Sequence, residues 1–341
     1  MHGFFSIPAV KKILIIQTAF IGDVILATPV AEKLHNVFPD AGIDFLLRKG
    51  NENLLLNHPF LNEIIVWDKK HNKYRNLFGI LRLIRNANYD LVVNLHRFGS
   101  SGIVTAFSKA KRTIGFDKNP FSVFFSKRVK HNIGKENYQY HEIDRNLSLV
   151  AEYGNIGRIM PRLYPSAKDY FKTETGKDNE YICIAPASVW FTKQYPKDKW
   201  IEFIRSIQES LHIYFIGSVT DKELCEEIIK ESGHQFSENF AGKLSLLETA
   251  ALMKNAKMNF VNDSAPVHIA SAMNAPVAAI FCSTIPEFGF SPLSEKSTLV
   301  QTGESLECRP CGLHGLKYCP ENHFKCAYTI EKENLLQTID N

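Results

Sequence analysis

Residues 259–284, NFVNDSAPVHIASAMNAPVAAIFCST, carry a strand, a polar turn, a helix and a second strand within one short span. Met258, Asn259, Phe260 and Val261 have the character of a short strand, and Asn262, Asp263 and Ser264 that of a turn bearing a helix N-cap. Pro266, with its fixed φ, suits the start of a small-residue helix running from Ala265 to Met273, and Asn274, Ala275 and Pro276 end it. Val277 to Phe281 is unbroken apolar sequence, as in a strand covered on both faces. Strand, helix and strand in that order make a parallel crossover unit, which puts the chain in the α/β class. The helix N-terminus of such a unit stands at the carboxyl end of the preceding strand, where free N–H groups and the helix dipole favour an anion. Asp263, Ser264 and His268 fall in or beside that turn and have two readings: a capped helix with an internally bonded histidine, or a ligand site.

The same alternation extends outward in both directions. Strands are expected at Lys12 to Gln17, Ile43 to Leu47, Glu63 to Trp67 and Asp90 to Leu95, with helices over Asp23 to Phe38, about Tyr74 to Ala87, and Tyr138 to Tyr153. A second series begins at the strand Tyr181 to Ala185 and continues through a helix near Lys199 to Ser210, a strand Leu211 to Ile216, and helices near Asp221 to Glu231 and Leu246 to Lys254. The chain has 341 residues, more than one hydrophobic core usually serves. The expected organisation is a Rossmann-like domain over 1–165, a charged linker over 166–180 and a second Rossmann-like domain over 181–341, doubly wound and facing a central cleft. No GxGxxG follows the first strand and no GxxxxGK[ST] occurs, which argues against the usual dinucleotide enzymes and against P-loop chemistry.

Composition is that of an ordinary folded protein, 45% hydrophobic and 22% charged, and a net charge of +4 is too mild to imply nucleic acid. Basic clusters at Arg48 and Lys49, at Lys109, Lys111 and Arg112, and at Lys127, Arg128 and Lys130 all lie in the first half; they suit either an anionic partner or a solvated surface. No apolar stretch reaches the roughly 18 residues of a membrane span, and the opening MHGFFSIPAVKK lacks the features of a secretory signal. A cytoplasmic protein is expected, with basic and aromatic residues such as Phe121, Phe124 and Phe125 suited to peripheral contact with the inner membrane. Cys183, Cys225 and Cys282 read as buried small residues, whereas Cys308, Cys311, Cys319 and Cys326 form a separate tail segment over 308–326. Their spacing admits a structural zinc knuckle, disulfides or reduced thiols, in each case with a structural role.

Loops at the carboxyl ends of the strands hold the residues that suit chemistry. Asp23, after Gly22 at a strand-to-helix turn, is a candidate general base, with helix capping as its plainer role. Ser188, Thr192 and Lys193 lie on a hydroxyl-rich loop whose one lysine suits a phosphate oxygen. Asp221 and Glu223 offer carboxylates for ribose hydroxyls. Together these are the equipment of a transferase that uses a sugar nucleotide.

Three ordered stretches, KILIIQTAFIGDVILATPVAEKL from Lys12, APASVWFTKQYP from Ala185 and VNDSAPVHIASAMNAPVAAIFCST from Val261, resemble the ADP-heptose:lipopolysaccharide heptosyltransferases of glycosyltransferase family 9. The resemblance runs from Lys12 to Cys326. It implies a GT-B fold and inverting, metal-independent transfer of a heptose from ADP-heptose to the inner core of lipopolysaccharide, with no cofactor, acceptor on the first domain and donor on the second. Carried over by motif, Asp23 corresponds to the catalytic base, Lys193 to the lysine on the donor phosphates, and Ser188, with Thr192 on the same loop, to hydroxyl contacts. Asp263, Ser264, Ala265 and His268 match the donor-binding turn, Leu244 falls near the adenine contact, and Glu223 or Asp221 corresponds to the ribose carboxylate. The cysteine tail is similar to that of heptosyltransferase II-type members. Gln17 stands where many members have arginine. The basic clusters then suit an anionic lipopolysaccharide core as partner rather than nucleic acid. Two alternatives stay open: another nucleotide sugar or glycan acceptor within the family, and a noncatalytic sugar-nucleotide binding module.

Overall fold

The structure, a computed structural model, describes residues 10–132, 140–154, 157–174 and 180–340. The chain divides into two compact units, Met1–Pro161 and Arg162–Asn341.

The first unit runs β1 (Lys12–Ile16), α1 (Ile21–Ile25), α2 (Thr28–Val37), β2 (Gly42–Arg48), β3 (Glu63–Trp67), α3 (Lys73–Ala87), β4 (Leu91–Asn94), α4 (Gly99–Ala106), β5 (Arg112–Phe116), β6 (Lys127–Val129) and α5 (Glu142–Ser148). Its strands form one parallel sheet in the order β3-β2-β1-β4-β5-β6. Ile13 sits opposite Ile43 on one side and Leu91 on the other, so β1 is central and its apolar side chains are wholly buried. That burial is the physical reason for its unbroken run Ile13-Leu14-Ile15-Ile16, each such side chain contributing roughly 1.5–3 kcal/mol.

The second unit runs α6 (Ala167–Lys172), β7 (Tyr181–Ala185), α7 (Lys197–Ile204), β8 (His212–Phe215), α8 (Lys222–Ser232), β9 (Ser237–Asn239), α9 (Leu246–Asn255), β10 (Met258–Asn262), α10 (Ala265–Met273), β11 (Val277–Phe281), β12 (Ser297–Gln301), α11 (Lys325–Tyr328) and α12 (Glu333–Asp340). Its parallel sheet has the order β12-β11-β10-β7-β8-β9, the same winding as the first. Trp200, Phe203, Phe215 and Phe260 form the centre of its core, and Cys326, Ala327, Ile330 and Leu335 bring the tail helices onto it. In each sheet the order reverses direction between two central strands, β1 and β4 in one and β7 and β10 in the other, and ligands of such sheets bind outside the carboxyl ends at that point.

Three expected elements differ. The single helix anticipated over Asp23 to Phe38 is two, α1 and α2, because Pro29 has no N–H to donate and is tolerated only in the first turn of a new helix. The break places Asp23 on a five-residue helix directly after the loop from β1. Of the helix anticipated over Tyr138 to Tyr153, α5 covers Glu142–Ser148, with His141 accepting the Ile143 N–H at 3.3 Å as its cap; Tyr138 lies outside the described residues. The segment expected as linker carries α6, capped by Ser166 and bonded from Lys172 to Glu248 at 2.8 Å; residues 175–179 of it lie outside the described residues. Among the described residues no helix is long and apolar enough to cross a membrane.

Candidate active site

In the first unit the loops leaving β1 to β4 set the Asp23 carboxylate among several cations. Asp23 is half-buried, and its Oδ2 accepts the Phe20 N–H at 3.1 Å, so it does cap α1. Burial pushes its carboxyl above the ordinary aspartate value, while backbone hydrogen bonds, Arg48 and Arg97 pull the other way. Capping and a perturbed carboxyl are thus both present in one residue. Arg48, at the end of β2, lies over the Phe20 ring at 4.6 Å. Lys69, just past β3, lies over the Trp67 ring at 4.5 Å and donates to the Thr18 hydroxyl at 2.7 Å. Burial, with Arg48 and Lys73 nearby, lowers the Lys69 ammonium to about 8. His96, after β4, stands 3.1 Å from the same hydroxyl, and burial beside Lys69, Arg97 and Arg48 lowers it to about 3, so the ring is neutral.

Behind Asp23 lies a second carboxylate that sequence reading passed over. Glu142, at the start of α5, accepts from Arg145 Nε at 2.7 Å with both side chains buried, and burial raises its carboxyl. Asn146 donates to the Leu26 carbonyl at 3.0 Å, which fixes α5 against the end of α1. Gln17 is buried, and its Oε1 accepts the Ala19 N–H at 3.2 Å, so it shapes the loop ahead of Asp23.

In the second unit the site grows from Asn262, the last residue of β10. Its Nδ2 donates to the Pro186 carbonyl at 2.7 Å and its Oδ1 accepts the Tyr195 N–H at 2.9 Å, so one buried side chain pins both ends of the loop after β7. Lys193 rides on that loop and places Nζ 2.7 Å from Asp263 Oδ2. The same oxygen accepts the Thr284 hydroxyl at 2.6 Å. Ser264 caps α10 from an extended backbone and directs its own hydroxyl to the Asn262 carbonyl at 3.2 Å, so the first N–H groups of the helix are not capped by that side chain. His268, a turn further on, is buried with its ring edge-on to Phe290, centroids 6.2 Å apart. Lys193, Asp263, Ser264 and Ala265 are therefore brought together, with Thr284 as a member that sequence reading missed.

The remaining candidates divide. Thr192 is 1% exposed, and its hydroxyl takes the Leu316 N–H at 2.8 Å and the Ser283 hydroxyl at 2.9 Å; it fastens the cysteine segment rather than facing outward. Ser188 is half-buried and its carbonyl accepts from Gln194 at 2.6 Å. Asp221 accepts both the N–H and the hydroxyl of Ser218 at 2.7 Å, which makes it a turn cap, whereas Glu223 is exposed at the start of α8. Half-buried Leu244 follows Gly242, whose N–H donates to the Gly217 carbonyl at 3.0 Å. Gly242 has φ +76 and approaches so closely that an added Cβ would lie 2.8 Å from Val219 Cα. These loops follow β8 and β9 and so share the carboxyl edge of the sheet with Lys193 and Asp263.

The four tail cysteines line one cavity together with His323, and all seven cysteines are free thiols. Among the described residues no group of three histidine, cysteine or acidic side chains is arranged to hold a metal ion. Arg309, next to Cys308 in the chain, points inward. It donates to the carbonyls of Phe281, Cys282 and Thr284 and to the Gln301 side chain, at 2.8 to 3.1 Å, and so ties the segment to the end of β11.

Two doubly wound parallel sheets with polar and charged loops at their carboxyl ends define a protein of the doubly wound α/β class, whose ligands bind at that edge. Residues 78–315 match the model of glycosyltransferase family 9 (heptosyltransferase), and the chain belongs to that family; it is a glycosyltransferase. It is 27% identical over 283 residues to lipopolysaccharide heptosyltransferase 3 of Escherichia coli K12, covering 77% of this chain and 80% of that one. It is 26% identical to lipopolysaccharide heptosyltransferase 1 of Campylobacter coli, covering 96% and 98%. Among solved structures, E. coli ADP-heptose lipopolysaccharide heptosyltransferase II superposes with a TM-score of 0.79 at 21% identity, over 96% of this chain and 97% of that one. A family 9 glycosyltransferase from Veillonella parvula gives 0.81 at 20%, over 97% and 96%. The fold is the GT-B type with two Rossmann-like units.

Proposed function

We propose that the chain transfers a heptose from ADP-heptose to a sugar hydroxyl of the lipopolysaccharide inner core, with inversion at the anomeric carbon, on the cytoplasmic face of the inner membrane. The observation that carries the reading is Asp23, a half-buried carboxylate raised by desolvation and flanked by Arg48 and Arg97. A noncatalytic binding module has no use for a base so placed. Relatives named as lipopolysaccharide heptosyltransferases support the sugar and the acceptor class.

In this mechanism Asp23 takes the proton from the acceptor hydroxyl as its oxygen bonds to the anomeric carbon, and the bond from that carbon to the diphosphate oxygen breaks on the opposite face. ADP leaves with the electron pair. Lys193 meets the charge that develops on the diphosphate, helped by the N–H groups at Ser264 and Ala265. Asp263 and Thr284 hold Lys193 at the start of α10, and Ser188, Glu223, Leu244 and His268 complete the donor side. This arrangement supplies positive charge from the protein itself and needs no cofactor. Arg48, Lys69 and Arg97 favour an acceptor that carries an anionic group beside the reacting hydroxyl.

Mass spectrometry of a truncated lipopolysaccharide core incubated with ADP-heptose and the enzyme tests the reading. One added heptose is expected. Turnover of another sugar nucleotide with no heptose addition would replace the donor, and turnover with a different glycan would replace the acceptor.

A further inference from the structure

Helix α3, Lys73–Ala87, has two apolar stripes and uses one of them inside the fold. Leu77, Ile80, Ile84 and Ala87 recur at helical spacing and pack against the buried cluster around Trp67 and Tyr89. The outer surface is not the polar face that this leaves room for. Tyr74 is 73% exposed and Phe78 68% exposed, and Arg75, Arg82 and Arg85 are interleaved with them. A shallow depression lined by Phe78, Leu81, Arg82, Arg85 and Lys109 joins α3 to the turn after α4. From there the surface continues through exposed Phe107 to Phe124, ring centroids 6.2 Å apart, with exposed Val123 beside it.

Of the charges on α3 only Arg85, in the last turn, is favoured by the helix dipole. The helix contains no aspartate or glutamate, so the (i, i+4) pairs that support surface helices are absent from it. Lys73 and Arg75 occupy the first turn, where the helix dipole disfavours cations, and Arg82 and Arg85 are like charges three residues apart. Among the described residues Arg75, Arg82 and Arg85 form no salt bridge. A helix that keeps five cations, counting Lys109, around exposed aromatic side chains at a local energetic cost has a partner for both features. An anionic bilayer surface supplies both: headgroup charge for the guanidinium groups, and an acyl boundary for Tyr74, Phe78 and Phe124.

We propose that the outer face of α3, continued by Phe107, Val123 and Phe124, seats the first unit on an anionic phospholipid surface. The basic and aromatic segment around Phe121 to Phe125 is then the margin of the contact and α3 its centre. This names the surface behind the inner-membrane placement proposed above and rests on that placement, not on the sugar chemistry, so absent flotation with heptosyl transfer intact would overturn the contact alone.

Flotation with vesicles made of equal parts phosphatidylcholine and phosphatidylglycerol, beside vesicles of phosphatidylcholine alone, tests the proposal without turnover. The protein is expected to float with the anionic vesicles and to be released by salt. Each cation at an anionic surface multiplies partitioning by about fivefold, so R82Q/R85Q should weaken it by about 25-fold. Phe78→Ser should weaken binding to anionic vesicles while leaving turnover of a water-soluble acceptor glycan unchanged. Three results would overturn it: no flotation of the wild type, equal flotation with neutral vesicles, or variants that float as the wild type does. Self-association in sedimentation that Phe78→Ser abolishes would assign the face to a second copy of the chain and overturn the bilayer.

Discussion

Lys193 Nζ and Asp263 Oδ2 lie 2.7 Å apart, with Thr284 donating its hydroxyl to the same oxygen at 2.6 Å. Both charged side chains are largely buried, so neither is a solvated surface charge. The pair sets a lysine on the loop after β7 against the start of α10, where the helix dipole already favours an anion. Asp263 orients the ammonium, and in the proposed mechanism a diphosphate takes over part of its coordination.

The first consequence concerns donor affinity. Hydrogen bonds to charged groups contribute about 1.5–3 kcal/mol, so Lys193→Ala should raise the Kd for ADP by roughly 10- to 100-fold in calorimetry. Thr284→Val should have a smaller effect in the same direction. Unchanged ADP affinity in Lys193→Ala would remove the lysine from the phosphate site.

As the proposed base, Asp23 should carry the pH dependence of the chemistry. A general base contributes about 10²–10⁴-fold, so Asp23→Asn should lower kcat on that scale while ADP still binds. The base works when deprotonated, so activity rises with pH through its pKa, and burial sets that value above the ordinary 3.8. Arg48 stabilises the carboxylate, so Arg48→Gln should move the acidic limb of kcat/KM to higher pH. A limb that stays in place in Arg48→Gln would separate the two residues electrostatically.

Buried histidines make the first unit sensitive to acid. His58 and His131 are lowered to about 4 and His96 to about 3, in each case mainly by burial. The unfolded chain takes up a proton on each near 6.5, before the folded chain does, so their stabilisation is complete above that pH and is lost as pH falls toward 4. Each contributes a slope of about 1.4 kcal/mol per pH unit in that window. Asp23 and Glu142, raised by burial, act in the opposite sense and partly offset it. Urea titrations between pH 7 and 5 should show stability falling, and His131→Gln should flatten the slope by about one histidine's share. A slope unaltered in that variant would contradict a neutral buried His131.

The stretch 259–284 was legible almost to the residue because its signals are local: an early proline, a run of small residues and an Asn-Ala-Pro stop give α10 and β11 at the expected positions, and the one difference is Asn262, expected in the turn, which ends β10. The alternation that gave two doubly wound sheets is likewise a property of neighbours in sequence. What sequence did not reveal depends on residues far apart along the chain. Thr284 joins Asp263 from 21 residues away, and Arg309 reaches back 25 to 28 residues to the end of β11. Thr192 reads as an open hydroxyl until Leu316, 124 residues on, is found bonded to it. Apolar periodicity likewise predicted α3 but gave no sign that its second stripe stays exposed.

Asn262 offers the sharpest test of how the fold positions Lys193. Its amide is fully buried and bonds the Pro186 carbonyl and the Tyr195 N–H, the two ends of the loop that carries the lysine. Asn262→Ala leaves both backbone groups without that partner in the interior, at about 1–3 kcal/mol each, so the midpoint of urea unfolding should fall. The loop should also lose its fixed span, and the Lys193–Asp263 pair with it, so ADP affinity should drop although no atom of Asn262 reaches the surface. Lys193→Ala/Asn262→Ala then separates the two effects, because additive losses in ADP affinity mean independent sites, whereas a double variant no weaker than Lys193→Ala means that Asn262 acts through the lysine. Destabilisation with unchanged ADP affinity in Asn262→Ala would confine Asn262 to folding and leave the placement of Lys193 to Asp263 alone.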